Sequence, residues 1–248
     1  MKKAIIFIFI LCNQFLSAQV SIKDSSITTP LISVSYAYQL PGGDMAKRFG
    51  NCSSTQMNLD FKSHSYLMLG INGSYFFGNT VKENVLANIS TKDGGIIGQD
   101  GQYANVPMYE RGFTISGTIG GMIHFKKPNP NSGIVFSEGF GFIQHKIRIE
   151  VIGNNVPELD KQYKKGYDRL TNGFLLTQNL GYMYMSNNRL LNFYFGFECL
   201  EGFTQNRRSY DFDLMSHDSK KRLDILYGAR VAWILPLYKK APAEFYTH

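Results

Sequence analysis

Charge, cysteine and long apolar runs are all scarce in this chain. Only 18% of its 248 residues are charged, against about 25% in an ordinary globular protein. Three cysteines cannot staple a chain this long, which excludes a disulfide framework. Past the N-terminus no run of about 18 uninterrupted apolar residues occurs, which argues against helical membrane spans. What is plentiful is aromatic side chain and glycine: 19 Phe, 15 Tyr and 24 Gly. That content is too apolar for a disordered chain. The length allows one domain if the fold is a barrel or sandwich.

The first 18 residues read as a secretory signal peptide. Met1–Lys3 is a basic n-region, Ala4–Leu11 an apolar stretch too short to span a bilayer, and Ser17-Ala18 the small residues before a cut. Leu11 is too bulky to make Cys12 a lipoprotein site. Export leaves 230 residues with a net charge of +5, and it leaves Cys52 and Cys199, which nothing in the sequence brings together.

Periodicity decides the architecture of the remainder. In Leu31–Leu40 the residues Ile32, Val34, Tyr36, Tyr38 and Leu40 alternate with Ser33, Ser35, Ala37 and Gln39. The same period of two recurs in 55–62, 66–77, 109–125, 134–149, 170–184, 190–203 and 222–238, which makes eight strands. Most reach the roughly 9–11 residues that a tilted membrane strand needs. Connections alternate between short (Lys62–Ser65, Lys126–Ser132, Met185–Arg189) and long (Pro41–Ser54, Gly78–Met108, Ile152–Arg169, Thr204–Lys221). An up-and-down order puts the four long loops on one side and both termini on the other, as in a membrane barrel.

Alternation alone does not say which face meets which medium. The polar face is poor in Lys and Glu and rich in Gly, Ser, Thr and Asn, which suits a narrow lumen better than a wet surface. Tyr36, Tyr38, Tyr75 to Phe77, Tyr182, Tyr184 and Tyr227 lie near strand ends, where aromatic girdles belong. Asp60, Glu110, Glu198, Asp224, Arg222 and Arg230 recur singly on the polar face. In a lumen such charges must pair; at a rim they sit in water. Both readings stay open, with Arg230 the candidate partner of a carboxylate. Two features break the pattern. Glu138 and Gln178 fall on the lipid face, where a lone carboxylate is costly. Beyond Phe142 the apolar residues of the fifth strand become Ile143, Ile147 and Ile149, which suggests either a β-bulge near Phe142–Gln144 or a strand end above the membrane.

This pattern of signal peptide, eight alternating strands and short-long loops resembles the small eight-stranded outer-membrane β-barrel proteins of Gram-negative bacteria, with an OmpA membrane-domain or OmpX-like architecture. The resemblance covers most of Leu31–Tyr238. It is one of pattern, without a signature motif. The stretch Tyr227–Tyr238 is similar to the closing strand that such proteins present to the barrel-assembly machinery during insertion. The expected fold is all-β, an eight-stranded antiparallel up-and-down transmembrane β-barrel over 31–238. It would be preceded by the signal peptide 1–18 and a periplasmic segment 19–30, and followed by a periplasmic tail 239–248. The implied location is the outer membrane, with the long loops extracellular and the termini periplasmic.

Chemistry is thin. Gly94-Gly95-Ile96-Ile97-Gly98 lacks the lysine and the strand-to-helix context of a phosphate cradle. The five histidines show no metal spacing, and Asp211, Asp213 and Asp218 lack that of a calcium loop. Ser137 and His145, on one strand, are about 26 Å apart. No cofactor, metal or catalytic residue is expected, and secretion argues against a nucleic-acid partner. The loop cations Lys161, Lys164, Lys165, Arg207 and Arg208 are either solvated or contacts for lipopolysaccharide or a protein. Val81–Ile89 is a candidate short helix capping the mouth or docking a partner. The tail, with Phe245 and Tyr246, is either slack or a docking peptide. An eight-strand barrel is too narrow for a wide pore. The expected role is therefore structural or interactive, as an accessory subunit of a larger outer-membrane complex. A narrow channel or a small hydrophobic-molecule carrier is the alternative, and a lipid-modifying barrel enzyme is a more distant one.

Overall fold

A computed structural model describes residues 26–125, 127–153, 155–186 and 190–237. The expected signal peptide and the tail residues Phe245 and Tyr246 lie outside them. Eight long strands form a closed antiparallel barrel: β1 (Thr29–Gly43), β2 (Cys52–Lys62), β3 (Leu67–Gly78), β6 (Met108–His124), β7 (Gly133–Ile149), β8 (Thr171–Tyr184), β9 (Phe193–Asn206) and β10 (Lys221–Pro236). Two-residue strands β4 (Ile96–Ile97) and β5 (Tyr103–Ala104) pair within the second long loop. A single helical turn, Met45–Arg48, follows β1. Each long strand pairs with the neighbouring long strand in sequence, and β1 closes the cylinder against β10.

The registers fix the barrel's geometry. Pairing runs from Ser33 through Asn58, Asn72, Ser116, Gly141, Leu175, Gly202 and Asp224, and returns to β1 at Gly43, ten residues higher. A shear of this size in eight strands means strong tilt and a bore that side chains can fill. All the residues on that spiral face inward. The outward face carries Val34, Leu59, Ile71, Ile115, Phe140, Leu180, Phe197 and Val231, all exposed. No helix among the described residues is long and apolar enough to cross a membrane.

The fifth long strand, β7, keeps a single phase. Its pairing with β6 is continuous from Gly133 to Ile149, so there is no bulge at Phe142–Gln144. Ile143, Ile147 and Ile149 point inward because the barrel's interior itself becomes apolar towards the long loops. There they join Met45, Phe49, Phe76, Leu175, Leu200 and Leu226, with Val85, Leu86, Val156 and Leu159 added from the loops. The segment Val81–Ile89 therefore caps the mouth, with its only helix a 3-10 turn at Ala87–Ile89. Phe76 faces this core while Tyr75 and Phe77 point away from it. A second apolar layer closes the short-turn end: Leu31, Met68, Met122, Val135, Met183, Met185, Tyr194 and Ile234, with Ile27 from the N-terminal segment. Lys62 pins that segment, donating to Ser26 Oγ (3.2 Å), Ile27 O (3.1 Å) and Asn131 Oδ1 (3.0 Å). Cys52 faces the lumen and Cys199 the outer wall, and both are free thiols.

Glycine permits the tight upper core. A side chain at Gly112 would collide with the Phe76 ring and with the Gln144 carbonyl behind it. Gly112→Leu is expected to cost about 1–3 kcal/mol through overpacking, read as a lower urea midpoint for unfolding from micelles. Gly117→Leu, where nothing lies within 4 Å, should leave the midpoint nearly unchanged.

Candidate functional site

Some of the inward charges pair, in two clusters: Glu198 with Arg230, and Asp224 with Arg48 and His145. The lower cluster centres on Glu198 and Arg230. The Glu198 carboxylate accepts from Gln39 Nε2 (2.6 Å) and from Gln56 Nε2 (2.9 and 3.0 Å), and Arg230 Nη1 stands 3.9 Å away. Arg230 also donates to Asn179 Oδ1 (3.2 Å) and lies 5.4 Å over the Tyr194 ring. Asp60 lines the same space from β2, fitted against Gly70, where any side chain would collide with its carboxylate. The cavity between them is about 80 Å³, room for a few waters. Apolar layers lie above and below it.

The upper cluster joins the helical turn Met45–Arg48 to the wall. Asp224 Oδ1 accepts from Arg48 Nη2 (2.7 Å), and its Oδ2 is bonded to His145 Nε2 (2.9 Å) and accepts from Thr204 Oγ1 (2.6 Å). Glu110 is fully buried beside them, with both carboxylate oxygens unpartnered among the described residues. Arg48 was not legible as a member, because a loop position carries no periodicity. His145 edges the Phe49 ring at 5.7 Å. Thr204 bonds to Asp224 and, among the described residues, not to His145. The cluster fastens structure under a closed mouth.

The long loops form a packed lid. Arg169 is 4% exposed and bridges Asp213 (2.6 Å), Asp211 (2.9 Å) and Glu83 (3.4 Å), drawing three loops together. Asp218 is taken by Arg222. Asp211, Asp213 and Asp218 are all therefore engaged with arginines. Asp213 is nevertheless pushed up from its ordinary pKa, chiefly by burial and against the Arg169 charge. Burial acts the same way on Asp218, but the Arg222 bond, the Lys220 backbone N–H and the nearby arginine charges together outweigh it and leave the carboxyl below its usual value.

The loop cations separate under this packing. Arg208 is committed to Asp168 through paired bonds of 2.7 and 2.5 Å. Arg207 Nε donates to Asn172 Oδ1 (2.6 Å), and Lys165 to Gln162 (3.2 Å). Lys161 is exposed and Lys164 half-buried. Lys161, Lys164 and Lys165 share the loop between β7 and β8, and Arg207 and Arg208 lie in the loop after β9. Arg111, which the sequence reading passed over, faces outward opposite Lys146.

On the outer wall the two exceptions to the pattern meet. Glu138 on β7 stands directly opposite Gln178 on β8, and both are exposed. Outward neighbours along β7 are Ile134, Phe136, Phe140 and Phe142; along β8 they are Phe174, Leu176, Leu180 and Tyr182. The polar pair thus sits at the middle of the apolar belt. Cys199 is opposite Gln178 on β9, and Glu201 is two positions on, facing out and half-buried.

No family model matches the chain, and no curated protein matches it in sequence. Solved structures with a similar course are small barrels. Ail, the attachment invasion locus protein of Yersinia pestis, solved with the heparin analogue sucrose octasulfate, is 10% identical over 84% of this chain and 99% of its own, with a TM-score of 0.45. Neisserial surface protein A is 7% identical over 83% and 96%, at 0.42. OprG from Pseudomonas aeruginosa is 9% identical over 86% and 99%, at 0.37. At these scores the assignment of fold rests on the closed eight-stranded sheet itself.

Removing Arg230 leaves Glu198 buried without its cation. Arg230→Leu should destabilise the barrel by about 3–5 kcal/mol. Glu198→Gln with Arg230→Leu should cost less than the two single changes added together, as measured by a double-mutant cycle of unfolding in micelles.

Proposed function

We propose that this chain is an outer-membrane β-barrel with a structural or interaction role, serving as an accessory subunit that docks laterally on another membrane protein. The observation that carries the reading is Glu138 against Gln178 in the middle of the apolar belt. A carboxylate held in hydrocarbon costs on the order of 2–3 kcal/mol. A neighbouring protein that offers a lysine, arginine or amide at that depth removes the cost and gains a bond in return. The wall from β7 to β9 adds Cys199 and Glu201 to the same surface. Export by the signal peptide, insertion through β10, extracellular long loops and periplasmic termini complete the proposal.

The lumen supports the same reading. A channel or a carrier of small hydrophobic molecules needs a path through the barrel, and here apolar side chains fill both ends. Apolar constrictions resist wetting, so planar-bilayer recordings of the purified chain are expected to show no steady conductance. Resolved single-channel steps would return the channel reading to first place.

Glu138→Leu is the direct test. The variant is expected to be about 2–3 kcal/mol more stable in micelles and to lose a co-purifying protein seen on native gels of the wild type. A photocrosslinker at Glu138 in intact envelopes should capture that protein, and one at Leu59 on the far wall should not. A wild-type particle of the lone chain, with no crosslink at either site, would sink the docking role.

A further inference from the structure

We propose that the outer wall at the β6–β7 seam binds the phosphate of an acylated lipid headgroup. The proposal rests on the wall lying in a bilayer and is independent of protein docking at Glu138. Arg111 and Lys146 are direct cross-strand partners on the same outward face, and Arg148 stands two positions further up β7 opposite Tyr109. Like charges placed directly opposite on one face repel and destabilise the pair. An anion between them reverses the sign of that interaction.

The arginine is already held in position. Arg111 Nη1 donates to the Gly78 carbonyl (3.0 Å) and the Glu110 carbonyl (2.6 Å), and the guanidinium lies 4.8 Å over the Tyr109 ring. Nε and Nη2 are left without protein partners among the described residues. Lys146 is exposed and makes no hydrogen bond or ion pair among them. Arg148 has a partner in Glu150 at 2.7 Å, with both side chains reaching solvent. A planar fork beside an ammonium suits a phosphate, whose several oxygens accept from both.

The surroundings select an amphiphile over a free anion. The depression that holds these cations is also lined by Tyr75, Phe113 and Gln144. Phe113 and Phe142 lie just below the cations, ring centroids 6.1 Å apart, and the apolar belt continues downward through Ile115 and Phe140. Cations therefore sit at the upper edge of the belt, where long basic side chains reach headgroup depth, and acyl chains have an aromatic wall to lie on. The loop lysines, by contrast, are not set in register across a strand pair, and Lys165 is already bonded to Gln162.

The experiment uses the full mature chain folded in phosphatidylcholine nanodiscs, titrated with fluorescent phosphatidic acid, a phosphate monoester on two acyl chains. Arg111→Gln with Lys146→Gln is expected to lower the affinity about tenfold or more. Lys161→Gln with Lys165→Gln should leave it within about twofold. Inorganic phosphate should compete only weakly, and diacylglycerol not at all. Lys146→Gln alone, at an exposed position, provides the same reading if the double variant folds poorly, and Lys146→Arg should retain binding. Unchanged affinity in the wall variants, an equal loss in the loop variant, or competition by inorganic phosphate at the concentrations that work for the lipid would each overturn the proposal.

Discussion

A strand in hydrocarbon has no water to satisfy its backbone, so every N–H and C=O must find a partner in the sheet, and the sheet must close. The pairing of β1 with β10 is where this chain meets that demand. Eight strands with a shear of ten then set the tilt and the bore together. Neither can change without a slip in at least one strand pairing, and a one-residue slip exchanges the two faces. The rest of the molecule follows from that bore.

A narrow lumen accepts small side chains freely and large ones only in layers. This barrel uses three. Apolar layers fill each end, and between them lies a polar belt with one cation, two carboxylates and a few waters' worth of space. Charges in that belt are costly to bury, and the structure answers with amide donors from Gln39 and Gln56 on Glu198 and with Asn179 and Tyr194 around Arg230. The upper cluster serves a different purpose. Arg48 reaches down from the first long loop to Asp224, so the lid is tied to the wall by a buried ion pair as well as by packing. Arg169 repeats the device among the loops themselves.

The outer wall is informative where it departs from uniform apolarity. A barrel that needed only to sit in lipid would gain by replacing Glu138, Gln178 and Glu201 with leucine. Their place at mid-belt, on adjacent strands, is what the proposed docking surface would use. Arg111 with Lys146 departs in another way, at the edge of the apolar belt, where the proposed lipid phosphate would sit. The two departures differ in depth, in sign and in the partner each would satisfy.

Much of this was legible in the order of residues. A period of two decided the strands, and the alternation of loop lengths decided their up-and-down order. Gly, Ser, Thr and Asn opposite aromatics decided which face is the lumen. Those features depend only on neighbours in sequence, and the eight strands appear where they were expected, to within a few residues. The partnerships were not legible. That Arg230 meets Glu198, that Arg48 meets Asp224, that Arg208 is spent on Asp168 and that Glu138 faces Gln178 all depend on register, and register is set by closure of the whole sheet. The inward turn of Ile143, Ile147 and Ile149 belongs with these. It looked like a change of phase because the sequence shows which side of a strand a residue takes, but not what has been packed into the space on that side.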